Sequence, residues 1–138
     1  MLVSMLLRAY KYLYYRLYNW NLRTWGASDL PQYNALFGVS FMVLINILTL
    51  TVLIEAATRY RVVGLSNLTT LSVVIGLSVL FGTYFLLVHN NKYQEIARQF
   101  SRETVIERRR RLRIIVLYVL GSFVAFFGFC WIGFLRRR

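Results

Sequence analysis

The chain has few of the residues from which soluble active sites are built. Its 138 residues include one Cys and one His, and only five acidic side chains. A single Cys can form neither a disulfide within the chain nor a multi-cysteine metal site. The acidic residues are scattered among cations, whereas a lipid kinase or phosphotransferase needs several carboxylates together to hold a metal. We therefore expect no enzyme activity, no cofactor and no metal site.

Charge is also scarce, and most of it is positive. Charged residues make up 16% of the chain and hydrophobic residues 58%, and 17 Lys and Arg against five acids give a net charge of +12. Soluble domains are nearer to a quarter charged, as a rough average. This composition argues against a soluble globular enzyme and against a disordered tail.

Three apolar runs without a charge are each long enough to cross a bilayer, which takes about 20 helical residues. They cover residues 34–54, 69–88 and 114–135. Backbone groups in hydrocarbon must be hydrogen-bonded within the protein, so such runs form helices. Asp29, Pro31 and Gln32 give a start signal for the first helix near Leu30. The sequence predicts an all-α integral membrane protein with three transmembrane helices.

The N-terminal arm differs from these runs because charges interrupt it. Ser4, Arg8, Lys11 and Arg16 fall on one helical face opposite bulky apolar residues, which predicts an amphipathic helix in the membrane interface. A flap over the protein's own cytoplasmic face is the alternative. The predicted segments are an arm over 1–26, a first transmembrane helix over 30–57, a second with a cytoplasmic extension over 69–100, a basic cytoplasmic loop over 101–113, and a third with a basic tail over 114–138.

Positive charges predict the orientation, because cytoplasmic segments carry the excess of Lys and Arg. The arm and the second loop contain twelve such residues, whereas the first loop and the tail contain five. We expect a multi-pass protein with a cytoplasmic N-terminus and an external C-terminus. The tail Arg136–Arg138 does not fit this rule, so a re-entrant third span, permitted by Gly121, Gly128 and Gly133, stays open.

The basic residues next to the membrane predict contact with anionic lipid headgroups. Each such charge contributes on the order of 1 kcal/mol near an anionic surface. The run of four Arg directly adjoins the third span, which favours lipid over nucleic acid as the partner. The expected headgroup residues are Arg8, Lys11, Arg16, Arg108, Arg109, Arg110 and Arg111.

Polar and small residues within the spans predict helix contacts. Asn46 lies in the middle of the first span and needs a partner, in a bond worth about 0.6–2 kcal/mol. A hydroxyl on another span of the same chain, a second copy, or a pore ring are the three possibilities. The second span has small residues on two faces and should be the central helix. The predicted packing residues are Asn46, Ser72, Gly76, Ser78, Gly82, Gly121, Ala125 and Gly128.

Several segments resemble a loose group of small, uncharacterised multi-span membrane proteins from Bacteroidota genomes. Tyr33–Phe37 and Asn46–Leu50 follow a tyrosine-rich basic arm, and Asn91-Lys92-Tyr93, followed by Phe100, precedes the last span. The resemblance implies a bacterial inner membrane. It brings no activity and no binding residue.

Together these features predict a non-enzymatic accessory or scaffold subunit, which packs with itself or with a larger membrane complex. Its partners would be anionic lipids and other membrane chains, without nucleic acid. A pore-forming protein, holin-like or a defence effector, is the first alternative, and a membrane immunity protein is the second. Pore formation predicts conductance and growth arrest on expression, whereas the other two functions predict harmless expression.

Overall fold

The computed structural model describes residues 1–58 and 68–135. These residues form five α-helices and no strand, so the all-α prediction is confirmed for them. The first loop and the arginine tail lie outside the described residues. From the sequence, Ser66 or Asn67 is a candidate cap for the second span and Gly64 lies in the first loop, and these predictions fall outside the described residues too. The helices are α1 (Leu2–Trp25), α2 (Pro31–Thr58), α3 (Leu68–Leu87), α4 (Lys92–Ser101) and α5 (Val105–Leu135).

Three helical stretches are long and apolar enough to cross a membrane, as the sequence predicts. They are Pro31–Thr58, Thr69–Ser101 and Val105–Leu135. The second of these stretches is α3 followed by α4. Asn90 and Asn91, both at a φ of 58°, separate the two helices. Asn tolerates this left-handed conformation better than most residues, because its side chain can bond locally.

The connection between α1 and α2 is short and sharply turned. Gly26 has a φ of 84°, which side chains disfavour, and Leu30 is also left-handed at 49°. The Asn34 amide donates to the backbone oxygen of Asp29 at 2.9 Å and to its carboxylate at 3.2 Å. α2 then begins at Pro31, where the missing N–H costs nothing. This turn folds α1 back along α2.

The basic segment predicted as a loop over 101–113 is mostly helical. The Thr104 backbone N–H donates to the Glu107 carboxylate at 3.2 Å, and the Glu107 N–H donates to the Thr104 hydroxyl at 3.3 Å. This reciprocal arrangement is a capping box, which starts a helix. The cytoplasmic loop predicted between the second and third spans is therefore helical from Val105 onward. Arg108, Arg109, Arg110 and Arg111 belong to the first turns of α5.

The central helix is α2, which contacts α1, α3 and α5, so the prediction that the second span is central is wrong. The physical reason is that α1 folds back onto α2 and packs there. Packing is concentrated in the N-terminal half of α2, and no residue described between Asn46 and Gly82 is buried. The buried hydrophobic residues are Tyr12, Leu13, Tyr14, Ala35, Leu36, Val39, Met42, Ile45, Leu87, Val88, Ile96, Phe100 and Ile115.

Candidate functional site

A buried carboxylate lies where α1 meets the junction of α4 and α5. The Glu103 side chain is only 6% exposed, and the Tyr12 hydroxyl donates a hydrogen bond to its Oε1 at 3.2 Å. The other oxygen, Oε2, has no hydrogen-bond partner and lies 3.6 Å from Nη1 of Arg111. A buried charge is tolerated only when it is paired. Glu103 therefore fixes α1 and α5 to each other through one hydrogen bond and one ion pair.

Aromatic rings surround this ion pair. The guanidinium carbon of Arg111 lies 5.7 Å from the ring centroids of both Tyr12 and Phe100, within the range of a cation–π contact. The two rings meet edge to face at 5.1 Å. Burial, and next the negative charge of Glu103 and its hydrogen bond, raise the pKa of Tyr12 to about 12. Tyr12 is thus a neutral donor to Glu103 at physiological pH.

Two clefts adjoin this group, and arginines line both. The α1–α5 cleft has a volume of about 500 Å³ and the Glu103 cleft about 270 Å³. The α1–α5 cleft is lined by Met5, Arg8, Ala9, Tyr12, Phe100, Glu107, Arg110, Arg111, Ile114 and Ile115. The Glu103 cleft is lined by Tyr15, Arg16, Asn19, Trp20, Arg23, Ser101, Glu103 and Arg108.

The clefts bring together five of the seven predicted headgroup residues. Arg8, Arg110 and Arg111 lie in the α1–α5 cleft, and Arg16 and Arg108 lie in the Glu103 cleft. Lys11 and Arg109 line neither of them. Arg23 also lines the Glu103 cleft; it was not predicted as a headgroup residue, although it lies seven positions after Arg16 and so falls on the same helical face. Glu103 was not predicted as a site residue either, because only tertiary packing buries that carboxylate.

The partners of Asn46 are tyrosines of the same chain. Its Nδ2 donates to the hydroxyl of Tyr10 on α1 at 3.1 Å and also to the hydroxyl of Tyr118 on α5. The two hydroxyls bond to each other at 2.7 Å. The Tyr118 hydroxyl lies on another span of the same chain, which is the first of the three possibilities given for Asn46, whereas the Tyr10 hydroxyl of the arm was not predicted as a partner. The repeated tyrosines of the arm were the signal available for Tyr10.

Most of the predicted packing residues on α3 and α5 are exposed in the part of the chain that the structure describes. The hydroxyls of Ser72 and Ser78 donate to carbonyls of their own helix at 2.9 Å and 2.7 Å, and Ala125 is half-buried. A packing role for this set therefore stays a prediction that concerns another chain. Open space surrounds the position a Cβ would take at Gly76, Gly82, Gly121 and Gly128.

Close approach occurs instead on α2. A Cβ at Gly38 would lie 2.8 Å from Cδ1 of Leu17 on α1. One hydroxyl bond also joins two spans, since Ser40 and Thr83 lie 2.6 Å apart. The sequence analysis missed Gly38 because it sought small-residue pairs only between spans, whereas the neighbour of Gly38 is the arm.

Within residues 1–58 and 68–135, no three His, Cys, Asp or Glu side chains come together in a way that could hold a metal ion. The chain matches no protein-family model, and neither a curated protein nor a solved structure is significantly similar to it.

Proposed function

We propose that the chain is a non-enzymatic accessory or scaffold subunit of a membrane complex, held at anionic lipid headgroups by its basic end. This proposal is based on the fact that the molecule has two unlike parts. Arginines of α1 and α5 converge beside the packed core, whereas α3 and the later part of α5 carry many exposed apolar side chains among the described residues.

The basic part suits a membrane surface. Arginines from α1 and α5, which are far apart in sequence, line two neighbouring clefts. Cations at the interface are attracted to anionic lipid, and their effects add over a cluster. We place this basic end at the cytoplasmic side, with the N-terminus inside, in a bacterial inner membrane.

The apolar part suits contact with lipid and with other membrane chains. Large side chains on α3 and α5 are more than half exposed, among them Phe81 at 62% and Val124 at 72%. Five glycines with open space around them lie on the same two helices, namely Gly76, Gly82, Gly121, Gly128 and Gly133. Glycines let helices of neighbouring chains approach closely in a bilayer. A subunit that packs on itself or on a larger complex would use these faces.

The pore alternative depends on Asn46, whose side chain is already bonded within the chain. A pore ring through Asn46 needs the amide to face a water-filled channel. Its amide nitrogen instead donates to Tyr10 and Tyr118 within one chain. We therefore place the scaffold function ahead of a pore.

Purification of the tagged chain from its native membrane tests the proposal. In a mild detergent, we expect a second copy or a defined larger membrane protein to co-purify in constant ratio, as measured by mass spectrometry. A variant with Gly76→Leu and Gly128→Leu should lose this partner and remain membrane-bound. A chain that elutes alone at all detergent concentrations, or one that conducts ions in planar bilayers, would contradict the proposal.

A further inference from the structure

The α1–α5 cleft has two chemically different walls. Arg8 and Arg110 line it together with the side chains of Met5, Ala9 and Ile114. A ligand that fills such a cleft must carry both an anion and an apolar chain. Soluble anions satisfy only the first requirement and neutral lipids only the second.

The arginines of this cleft differ in their availability. Arg111 already pairs with Glu103 at 3.6 Å and lies over two aromatic rings. Arg8 and Arg110 form no ion pair with another residue in the described part of the chain, and both are exposed to the cleft. Glu107 also lines the cleft, but in the described part of the chain it forms no ion pair with either guanidinium, and its Oε2 accepts the capping hydrogen bond from Thr104. Two guanidinium groups are therefore free to bind an anion.

The position of the cleft along α5 indicates the source of the ligand. Arg110 and Arg111 lie about one helical turn before the uncharged run that begins at Ile114, so the cleft opens where α5 enters hydrocarbon. A phosphodiester at the membrane surface lies at this depth, and its acyl chains continue along α5. Arginine binds phosphate oxygens through paired N–H donors.

We propose that the α1–α5 cleft is a binding site for one anionic phospholipid. Arg8 and Arg110 hold its phosphodiester from opposite helices, and an acyl chain lies against Met5, Ala9 and Ile114. This site rests on the proposed function, since it requires the basic end to face anionic headgroups. It goes further by naming a single lipid, its chemistry and its two phosphate ligands.

Native mass spectrometry of the full-length chain, released from detergent micelles with added phosphatidylglycerol or phosphatidylcholine, tests the site. We expect one phosphatidylglycerol to be retained per chain, in preference to phosphatidylcholine. The double variant R8Q/R110Q should weaken retention by about five-fold per arginine. The matched control R98Q/R102Q removes the same charge from exposed residues that line neither cleft, and should change retention less than about two-fold.

A second variant separates the site from general surface charge. Ala9→Phe keeps every charge and fills the cleft, so it should also release the lipid. Thermal unfolding in lipid-free detergent checks that both variants remain folded. Soluble glycerophosphoglycerol in large excess should not displace the lipid, because it has no acyl chain.

The outcomes distinguish the site from the proposed function. If the wild-type chain shows no preference for phosphatidylglycerol at all, the headgroup part of the proposed function is wrong as well. If it shows the preference but R8Q/R110Q behaves like R98Q/R102Q, or Ala9→Phe retains the lipid, only the specific site is refuted. Displacement by glycerophosphoglycerol would refute the role of the acyl chain and indicate a site for a soluble phosphodiester.

Discussion

The hydroxyl of Tyr12 donates a hydrogen bond to the carboxylate of Glu103, at a distance of 3.2 Å and across 91 positions of sequence. This bond joins the N-terminal arm to the segment between α4 and α5. Because Arg111 pairs with the same carboxylate, three separate segments meet at one buried charge. The arm is therefore an integral part of the packed core.

Glu103→Gln should destabilise the fold. The change removes the counter-charge of Arg111 while it keeps an acceptor for Tyr12. Breaking a fully buried pair costs about 3–5 kcal/mol, but the Arg111 side chain is 31% exposed, so we expect about 1–3 kcal/mol. Thermal unfolding in detergent measures the effect. Glu95→Gln is the matched control, because Glu95 is exposed on α4. Equal stability of the two variants would show that the buried pair contributes nothing.

The fold should lose stability at alkaline pH. The pKa of Tyr12 is raised from its usual 10 to about 12, so folding favours the neutral phenol. The corresponding stability is fully present below about pH 10 and is lost as the pH rises to about 12. Burial also raises the pKa of Tyr14 and Tyr18, so Tyr12 contributes one part of the effect. Tyr12→Phe should therefore show a shallower decline between these pH values. A decline parallel to that of the wild type would argue against this role of Tyr12.

Asn46→Leu should be nearly neutral. Tyr10 and Tyr118 remain bonded to each other without the amide, and the change removes a polar group from hydrocarbon. We expect the free energy of unfolding to change by no more than about 2 kcal/mol, and any oligomer to be preserved. Asn46→Cys should give few disulfide-linked dimers on oxidation. Efficient dimer formation through position 46 would instead favour self-association or a pore.

Gly38→Leu and Gly128→Leu should behave differently. A Cβ added at Gly38 would lie 2.8 Å from Cδ1 of Leu17, so a leucine there overpacks the α1–α2 contact at a cost of about 1–3 kcal/mol. Gly128 has open space, so its substitution should leave the stability of a single chain unchanged. Thermal unfolding of the monomer in detergent measures the stability of each variant. Equal tolerance would mean that α1 does not pack on α2 as described.

Reporter fusions should place the N-terminus in the cytoplasm and the C-terminus outside. The charge difference of twelve to five residues is the basis of this prediction. Alkaline phosphatase fused after residue 138 should be active, and a cytoplasm-only reporter there inactive. The reverse result, with the N-terminus also inside, would favour the re-entrant third span.

The sequence alone determined the three helical stretches that are long and apolar enough to cross a membrane. Transfer of about 20 uncharged residues into hydrocarbon is favourable residue by residue, and it forces the backbone into helices. This signal depends only on residues adjacent in sequence, so it can be recognised without knowing which helices pack together. The start of α2 at Pro31 could be predicted for the same reason. The Thr104 and Glu107 capping box was equally local, and the helix over 105–113 was open to prediction from it.

Only the tertiary structure decided which side chains meet. The burial of Glu103, the pairing of Asn46 with Tyr10 and Tyr118, and the convergence of Arg8 with Arg110 depend on α1 folding back along α2. That arrangement follows from a left-handed turn and from the space that Gly38 leaves for Leu17. Such contacts join residues that are far apart in the chain, and many pairings of similar energy are compatible with one hydrophobic pattern. Their choice is a property of the packed molecule, because each contact exists only when all the helices are in place.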